Sequence, residues 1–276
     1  MEMTLLGSGG VTPAPRIGSK TSVTALAKNG GPDFRTGSSF FVHDAHLLFD
    51  TPEEVRFQLL RQSIDRIDAV ILTHWHPDHT LGIRVLEQYN WDFVHKKPVR
   101  EPIPVYISKQ QLTWFKEYSC GGFLEFYQKK GFIKIIFFDS HDRLVFNDVT
   151  VEPILIEKTK GFYFVITDSQ GKRVVYAPCE YHELVVDPST RAVDILISHN
   201  LFWEDATISP RKIPPTDEDS FEQMLTHATE MEAERVIITH IEETFELSHE
   251  QMISVFKQKY PDFDVVPGYD GMRIEL

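Results

Sequence analysis

The stretch LTHWHPDHTLG, Leu72 to Gly82, places His74, His76, Asp78 and His79 within six residues, directly after an apolar run. Imidazoles and carboxylates in such density suit a divalent metal, with zinc, manganese and iron all compatible. If the chain is still extended at His74, then His74 and His76 face the same side, because strand side chains alternate. Pro77 ends strand pairing and fits a turn. Asp78 and His79 then stand at the entry to a helix beginning HTLGIRVLEQ. Neighbouring residues can hardly wrap four bonds around one ion, so two adjacent ions sharing the turn is the easier geometry. The competing readings are Asp78 as an ordinary helix N-cap and the histidines as hydrogen-bonded polar groups at a strand end. Four such residues after one buried strand favour the metal.

The elements that must position these groups are partly legible. DAVILTH, VVYAPC, DILISHN and RVIITH are short apolar or β-branched runs, as expected for strands covered on both faces. Each ends at a residue able to bind metal: His74, Cys179, His199 and His240. Open sheets place their sites beyond the carboxyl ends of strands. His199 has two readings, as a pocket acid or ligand and as a polar strand end. TPEE predicts a helix with Thr51 as N-cap, Pro52 at the first position and Glu54 closing a capping box. Ser248 and Gln251 predict another, with Met252, Val255 and Phe256 on one face. Phe221, Leu225, Ala228 and Met231 mark a third amphipathic helix. Thr12 to Gly37 and Asp205 to Pro215 read as long loops. His43, His46, His95, His141, His227 and His249 read as surface or loop residues, and Gly121 and Gly122 beside Cys120 as a turn.

Bulk properties narrow the class. The 276 residues, 42% hydrophobic and 25% charged, are those of a globular protein with a sizeable core, read as one domain over 1–276. A net charge of −13 argues against a surface that follows nucleic-acid phosphates. It leaves room for a small anionic substrate, because a bound cation reverses the local field. Two cysteines are too few for a disulfide framework. MEMTLLGSGG has no signal-peptide pattern and no run is long enough to span a membrane. The expectation is a cytoplasmic protein with a small-molecule partner and neither nucleic acid nor membrane; a homodimer is left open.

His-x-His-x-Asp-His resembles the signature of the metallo-β-lactamase superfamily. HLLFDT, ending in Asp50, VIITHI, carrying His240, and the tail GYDGMRIEL agree in order and spacing. The tail resembles the branch that contains phosphoribosyl 1,2-cyclic phosphate phosphodiesterase. The resemblance covers nearly the whole chain. It implies an α/β fold, the metallo-β-lactamase-like αββα sandwich, with a dinuclear site between the sheets. Carried over, His74 and His76 serve one metal, while Asp78, His79 and His240 serve the second, with Asp78 also the candidate catalytic carboxylate.

The sequence departs from that pattern in four places. The third histidine of the first site falls at or near Lys158, and lysine is a poor ligand while it stays protonated. The bridging aspartate falls at or near Cys179, a good zinc ligand as thiolate, so Asp78, Cys179 and His240 could form a good single site, and with only His74 and His76 left for the first, one metal at the second becomes the favoured expectation. Glu180 or His182 would take that place if the register slips, and Glu157 is an alternative for the vacant first-site position. Lys158 either meets an anionic group of the substrate or pairs with Glu157. Thr12 to Gly37 lacks the cysteines that hold a structural zinc in the phosphodiesterase branch, and Thr216 or Asp217 stands where that branch has a histidine proton donor. The expectation is a metal-dependent hydrolase of a small cyclic phosphate or related phosphodiester, using one or two Zn2+ or Mn2+ ions, with Lys158 and His199 as candidate substrate residues. The alternatives are the same fold with an incomplete site used for binding, and a transfer-RNA processing nuclease, which the acidic charge disfavours.

Overall fold

The computed structural model describes residues 1–119, 121–179, 184–199, 202–205, 207–208 and 219–276. The first half contributes strands β1 (Glu2–Gly7), β2 (Ser39–Val42), β3 (Leu47–Phe49), β4 (Ala69–Ile71), β5 (Trp91–Asp92), β6 (Lys97–Pro98), β7 (Ile103–Ile107) and β8 (Ile133–Phe137). Its helices are α1 (Ser22–Ala27), α2 (Val55–Arg61), α3 (Pro77–Thr80), α4 (Val85–Asn90), α5 (Lys109–Tyr118) and α6 (Gly121–Lys129). The second half contributes β9 (Leu144–Phe146), β10 (Val149–Leu155), β11 (Phe162–Thr167), β12 (Arg173–Ala177), β13 (Ile195–His199) and β14 (Arg235–Thr239). It closes with β15 (Val265–Pro267) and β16 (Met272–Glu275), and its helices are α7 (Phe221–Glu230) and α8 (His249–Lys259).

The strands form two large sheets, ordered β16-β1-β2-β3-β4-β7-β8 and β15-β14-β13-β12-β11-β10-β9. In each, the strands that end at the metal-liking residues are parallel: β3-β4-β7-β8 in the first and β12-β13-β14-β15 in the second. Period-two alternation sends Phe49 inward and its neighbour Leu48 outward. The inner faces meet through aromatic rings: Phe40 stacks on Tyr176 at 4.9 Å, and Phe49 contacts Phe164 at 5.4 Å. The outer face of the first sheet packs under α2, α4, α5 and α6, and that of the second under α7 and α8. This is the αββα sandwich. No helix among the described residues is long and apolar enough to cross a membrane.

Several local expectations hold. Ser248 and Gln251 form a reciprocal capping box on α8, which buries Met252 and Phe256, and α7 buries Phe221, Leu225 and Ala228 as its spacing predicts; its own capping box, Ser220 with Gln223, is a further finding. Others change. The TPEE helix begins only at Val55, and Thr51 caps nothing on it. Thr51 is drawn into the metal turn instead: its N–H donates to the His79 carbonyl at 2.7 Å and its own carbonyl accepts from Gly82 at 2.8 Å. The helix expected from HTLGIRVLEQ is accordingly broken into α3, a 3-10 turn over Leu81–Arg84, and α4. Gly82 permits this close approach, since a Cβ there would lie 1.9 Å from the Pro52 carbonyl oxygen. The loop from Thr12 to Gly37 contains the short helix α1, capped by Thr21. His227 and His249 sit on α7 and α8 and are half-buried rather than loop residues. Most of the loop from Asp205 to Pro215 and Cys120 lie outside the described residues.

Candidate metal centre

The HWHPDH turn leaves the carboxyl end of β4 and faces the carboxyl ends of β12 and β14 across the sandwich. His76, without a side-chain cap bond, is the N-cap of α3, Pro77 takes the first helical position and Asp78 lies inside the first turn. Asp78 is therefore not the N-cap. The rings of His74 and His76 are 4.6 Å apart and those of His74 and His79 are 4.1 Å apart. His240, from the end of β14, stacks on His79 at 5.3 Å. Oδ2 of Asp78 lies 3.4 Å from His79 Nε2 and 3.3 Å from His240 Nε2. Cys179, just past β12, joins both halves. Donor atoms of His74, His76 and Cys179 lie within 4.8 Å of one another, and so do those of His79, Cys179 and His240.

Buried partners orient these rings. Asp50, fully buried at the end of β3, accepts from the Thr73 N–H at Oδ1 and from the Thr73 hydroxyl at Oδ2, each at 2.8 Å. The same Oδ2 meets Nδ1 of His79 at 2.8 Å. With its proton given to Asp50, the Thr73 hydroxyl can accept from His74 Nδ1 at 3.0 Å. Both imidazoles then turn Nε2, as a free lone pair, toward the centre. Nε2 of His74 and of His79 are buried and make no hydrogen bond. Buried polar atoms are normally paired, and an outer carboxylate on the far ring nitrogen is how proteins orient metal-binding histidines. Orphaned imidazole nitrogens around one thiol and one carboxylate fit a divalent cation.

Electrostatics agree. Burial opposes charge on Cys179, but His240 and His74 outweigh it and hold the thiol well below its ordinary value. Burial likewise opposes charge on Asp78, and His79 and His240 bring its carboxyl far below the usual range. Burial pushes His74 down, with the charge of His79 adding to the effect. For His79 and His240 burial is overcome by Asp78 and Asp50 in one case and Cys179 in the other, and both are raised. Cys179 and Asp78 are thus held toward their anionic forms by the imidazoles around them, an environment that suits a bound cation.

The remaining sequence expectations divide. Lys158 is exposed in the turn after β10. The ion pair with Glu157 belongs to Lys160 instead, at 2.6 Å, and Glu157 is 79% exposed and joins neither donor group. Glu157 is thus no ligand, because its backbone turns it to solvent where Lys160 holds it. His199 is buried at the end of β13, its ring 6.0 Å from His240. Glu180, His182, Thr216 and Asp217 lie outside the described residues.

Three supporting residues escaped the sequence reading. Gln111, buried on α5, accepts from the Trp75 N–H at 3.0 Å and donates to the Lys160 carbonyl at 2.7 Å, tying the metal turn to the loop that carries Lys158. Glu242 is clamped by the Val11 and Thr12 N–H groups at 2.8 and 2.7 Å, with Oε1 3.7 Å from His240 Nδ1. Gly10 lets that turn close over His240, since a Cβ there would lie 2.5 Å from His240 Nδ1. The clustered glycines of LLGSGG were the one available signal.

Residues 44–241, well over half the chain, match the family model described as a β-lactamase superfamily domain. A diphosphatase of the PhnP family superposes with a TM-score of 0.75 at 21% identity, covering 100% of this chain and 97% of that one. Zn2+-bound PqqB from Methylobacterium extorquens superposes with a TM-score of 0.76 at 18% identity, covering 100% of both chains. An octanoyltransferase of Porphyromonas gingivalis (strain ATCC BAA-308 / W83) is 37% identical over 93 residues, which span 33% of this chain and only 19% of that protein. Fold, clustered ligands and family match converge: the chain belongs to the β-lactamase superfamily and has its metallo-β-lactamase fold.

Proposed function

We propose that this protein is a metal-dependent hydrolase of small anionic phosphodiesters, cyclic phosphates among them. The observation that carries the reading is the pair of donor groups, His74–His76–Cys179 and His79–Cys179–His240, gathered within 4.8 Å with Asp78 against the second. A divalent cation held there would lower the pKa of water towards ~7 and polarise a phosphoryl oxygen. The chain's own residues do the rest. Asp50 and Thr73 hold the imidazole tautomers, Asp78 offers a carboxylate within reach of both His79 and His240, and Gln111 sets the Lys158 loop beside the metal turn. Lys158 would meet the anionic group of the substrate, and His199, buried behind His240, would support the pocket wall. The diphosphatase among the structural neighbours supports phosphorus–oxygen chemistry, as does the tail GYDGMRIEL. The acidic net charge supports a small substrate rather than a nucleic acid.

The test is turnover of bis-p-nitrophenyl phosphate and a panel of nucleoside and sugar cyclic phosphates by purified protein. Activity should disappear with chelator and return with Zn2+ or Mn2+, and His76→Ala and Asp78→Ala should lower it by orders of magnitude. A second reading, the same fold used for binding, is favoured by Lys158 in place of a histidine. Metal binding without turnover across phosphodiesters, lactones and thioesters would select it.

A further inference from the structure

We infer that Cys179 is a shared thiolate ligand that bridges two divalent cations, completing a dinuclear centre whose first site has only two imidazoles of its own. The inference rests on the metal-dependent reading above and goes beyond it in ion number, ligand role and metal preference.

Two imidazoles alone, His74 and His76, leave the first site short, because catalytic zinc sites hold three protein ligands. Lys158 is exposed and no metal ligand, and Glu157 is turned to solvent against Lys160. Among the described residues the two donor groups hold no further His, Cys, Asp or Glu, and Asp78, beside His79 and His240, adds a carboxylate to the second alone. Cys179 is the one residue common to both. Counted once in each, it gives the first ion three protein ligands, His74, His76 and Cys179, and so leaves a position open for substrate or solvent. It gives the second ion four: Asp78, His79, His240 and Cys179.

The distances allow this. Zinc–sulfur bonds are ~2.3 Å, so two bonds to one sulfur reach across at most ~4.6 Å, which spans the ~3.5–4 Å between ions in two-metal hydrolases. The position of the sulfur also fits. β12 is bordered by β11 and β13, and it ends at Ala177, so Cys179 emerges from the middle of the second sheet. From there it faces His74 and His76 of the opposite sheet and His240 two strands away in its own. The orphaned Nε2 atoms belong to His74 and His79, both at least nine-tenths buried, and each of these residues brings a donor atom within 4.8 Å of Cys179. A soft sulfur shared by both ions favours zinc over manganese, which prefers oxygen ligands.

The experiment is zinc loading of the full chain, metal analysis, and X-ray absorption at the zinc edge. The bridge predicts about two zinc ions per chain, about one sulfur neighbour per zinc at ~2.3 Å, and a zinc–zinc vector near ~3.5–4 Å. Cys179→Ser should remove the sulfur signal and lower the loading to about one zinc. Cys179→Asp should restore the second zinc with oxygen replacing sulfur. About two zincs with only about half a sulfur per zinc, or a single zinc with one sulfur, would overturn the bridge and leave the metal-dependent reading standing. Unchanged loading in Cys179→Ser would do the same. No zinc at all would overturn both.

Discussion

Asp50→Asn should damage the centre without touching a single candidate ligand. The carboxylate accepts three hydrogen bonds: the Thr73 N–H at Oδ1, and the Thr73 hydroxyl and His79 Nδ1 at Oδ2. An amide is isosteric but has a donor at one end. If its NH2 takes the Oδ2 place, it meets the His79 N–H and the Thr73 hydroxyl. If it takes the Oδ1 place, it meets the Thr73 backbone N–H. Neither orientation satisfies every partner. The escape is for His79 to move its proton to Nε2, which removes that nitrogen as a ligand. Outer-shell partners of metal-bound histidines are worth about 10–100-fold in affinity, or ~1.4–2.7 kcal/mol. Asp50 and His79 are fully buried, so solvent does not dilute the effect. A chromophoric chelator competing for zinc measures the affinity directly. Circular dichroism and thermal melting separate it from misfolding, with a stability loss of ~1–3 kcal/mol expected from the mispaired donor. A zinc affinity within twofold of the parent in a folded Asp50→Asn protein would refute the account of how the imidazoles are oriented.

The other predictions concern the supporting residues. Gln111→Ala leaves the Trp75 N–H and the Lys160 carbonyl without their partner, so urea denaturation should show a loss of ~1–3 kcal/mol, and turnover should fall as the two loops uncouple. Gly10→Ala would bring a Cβ to 2.1 Å from Glu242 Oε1 and 2.5 Å from His240 Nδ1, so zinc affinity should drop about tenfold or more, and an unaltered affinity would contradict the close packing on His240. Burial opposes charge on Glu243, but hydroxyls of Ser19, Thr21 and Thr24 outweigh it and lower its pKa. A depressed carboxyl stabilises the fold above its unfolded value of 4.5 and loses that contribution as pH falls through the folded value. Amide exchange in residues 19–27 should therefore accelerate as pH is lowered beneath 4.5 after correction for intrinsic rates, and Glu243→Gln should abolish the acceleration.

The amino-acid sequence alone determined the buried strands and the ligand types of the metal turn, because both are written locally, whereas the sandwich was implied by the resemblance to a known family. Apolar runs without polar alternation marked strands buried on two faces, and the HWHPDH turn carries its ligand types within one loop. Ser248 with Gln251 and the apolar spacing of α7 were legible for the same reason, since caps and helical faces are set by neighbours three or four residues apart. What needed the tertiary structure were contacts between distant segments. Thr51 looked like a helix cap and instead braces the His79 turn, because backbone groups of a residue 28 positions away compete for it. Gln111 and Glu242 have no local signature, since their partners come from other elements across the fold. Cys179 showed the same limit: its residue type hinted at a ligand, but only the packing of one sheet on the other put its sulfur between two groups of imidazoles. Spacing along a chain encodes chemistry within a turn, whereas the sharing of one atom between two sites is decided by where separate strands end in space.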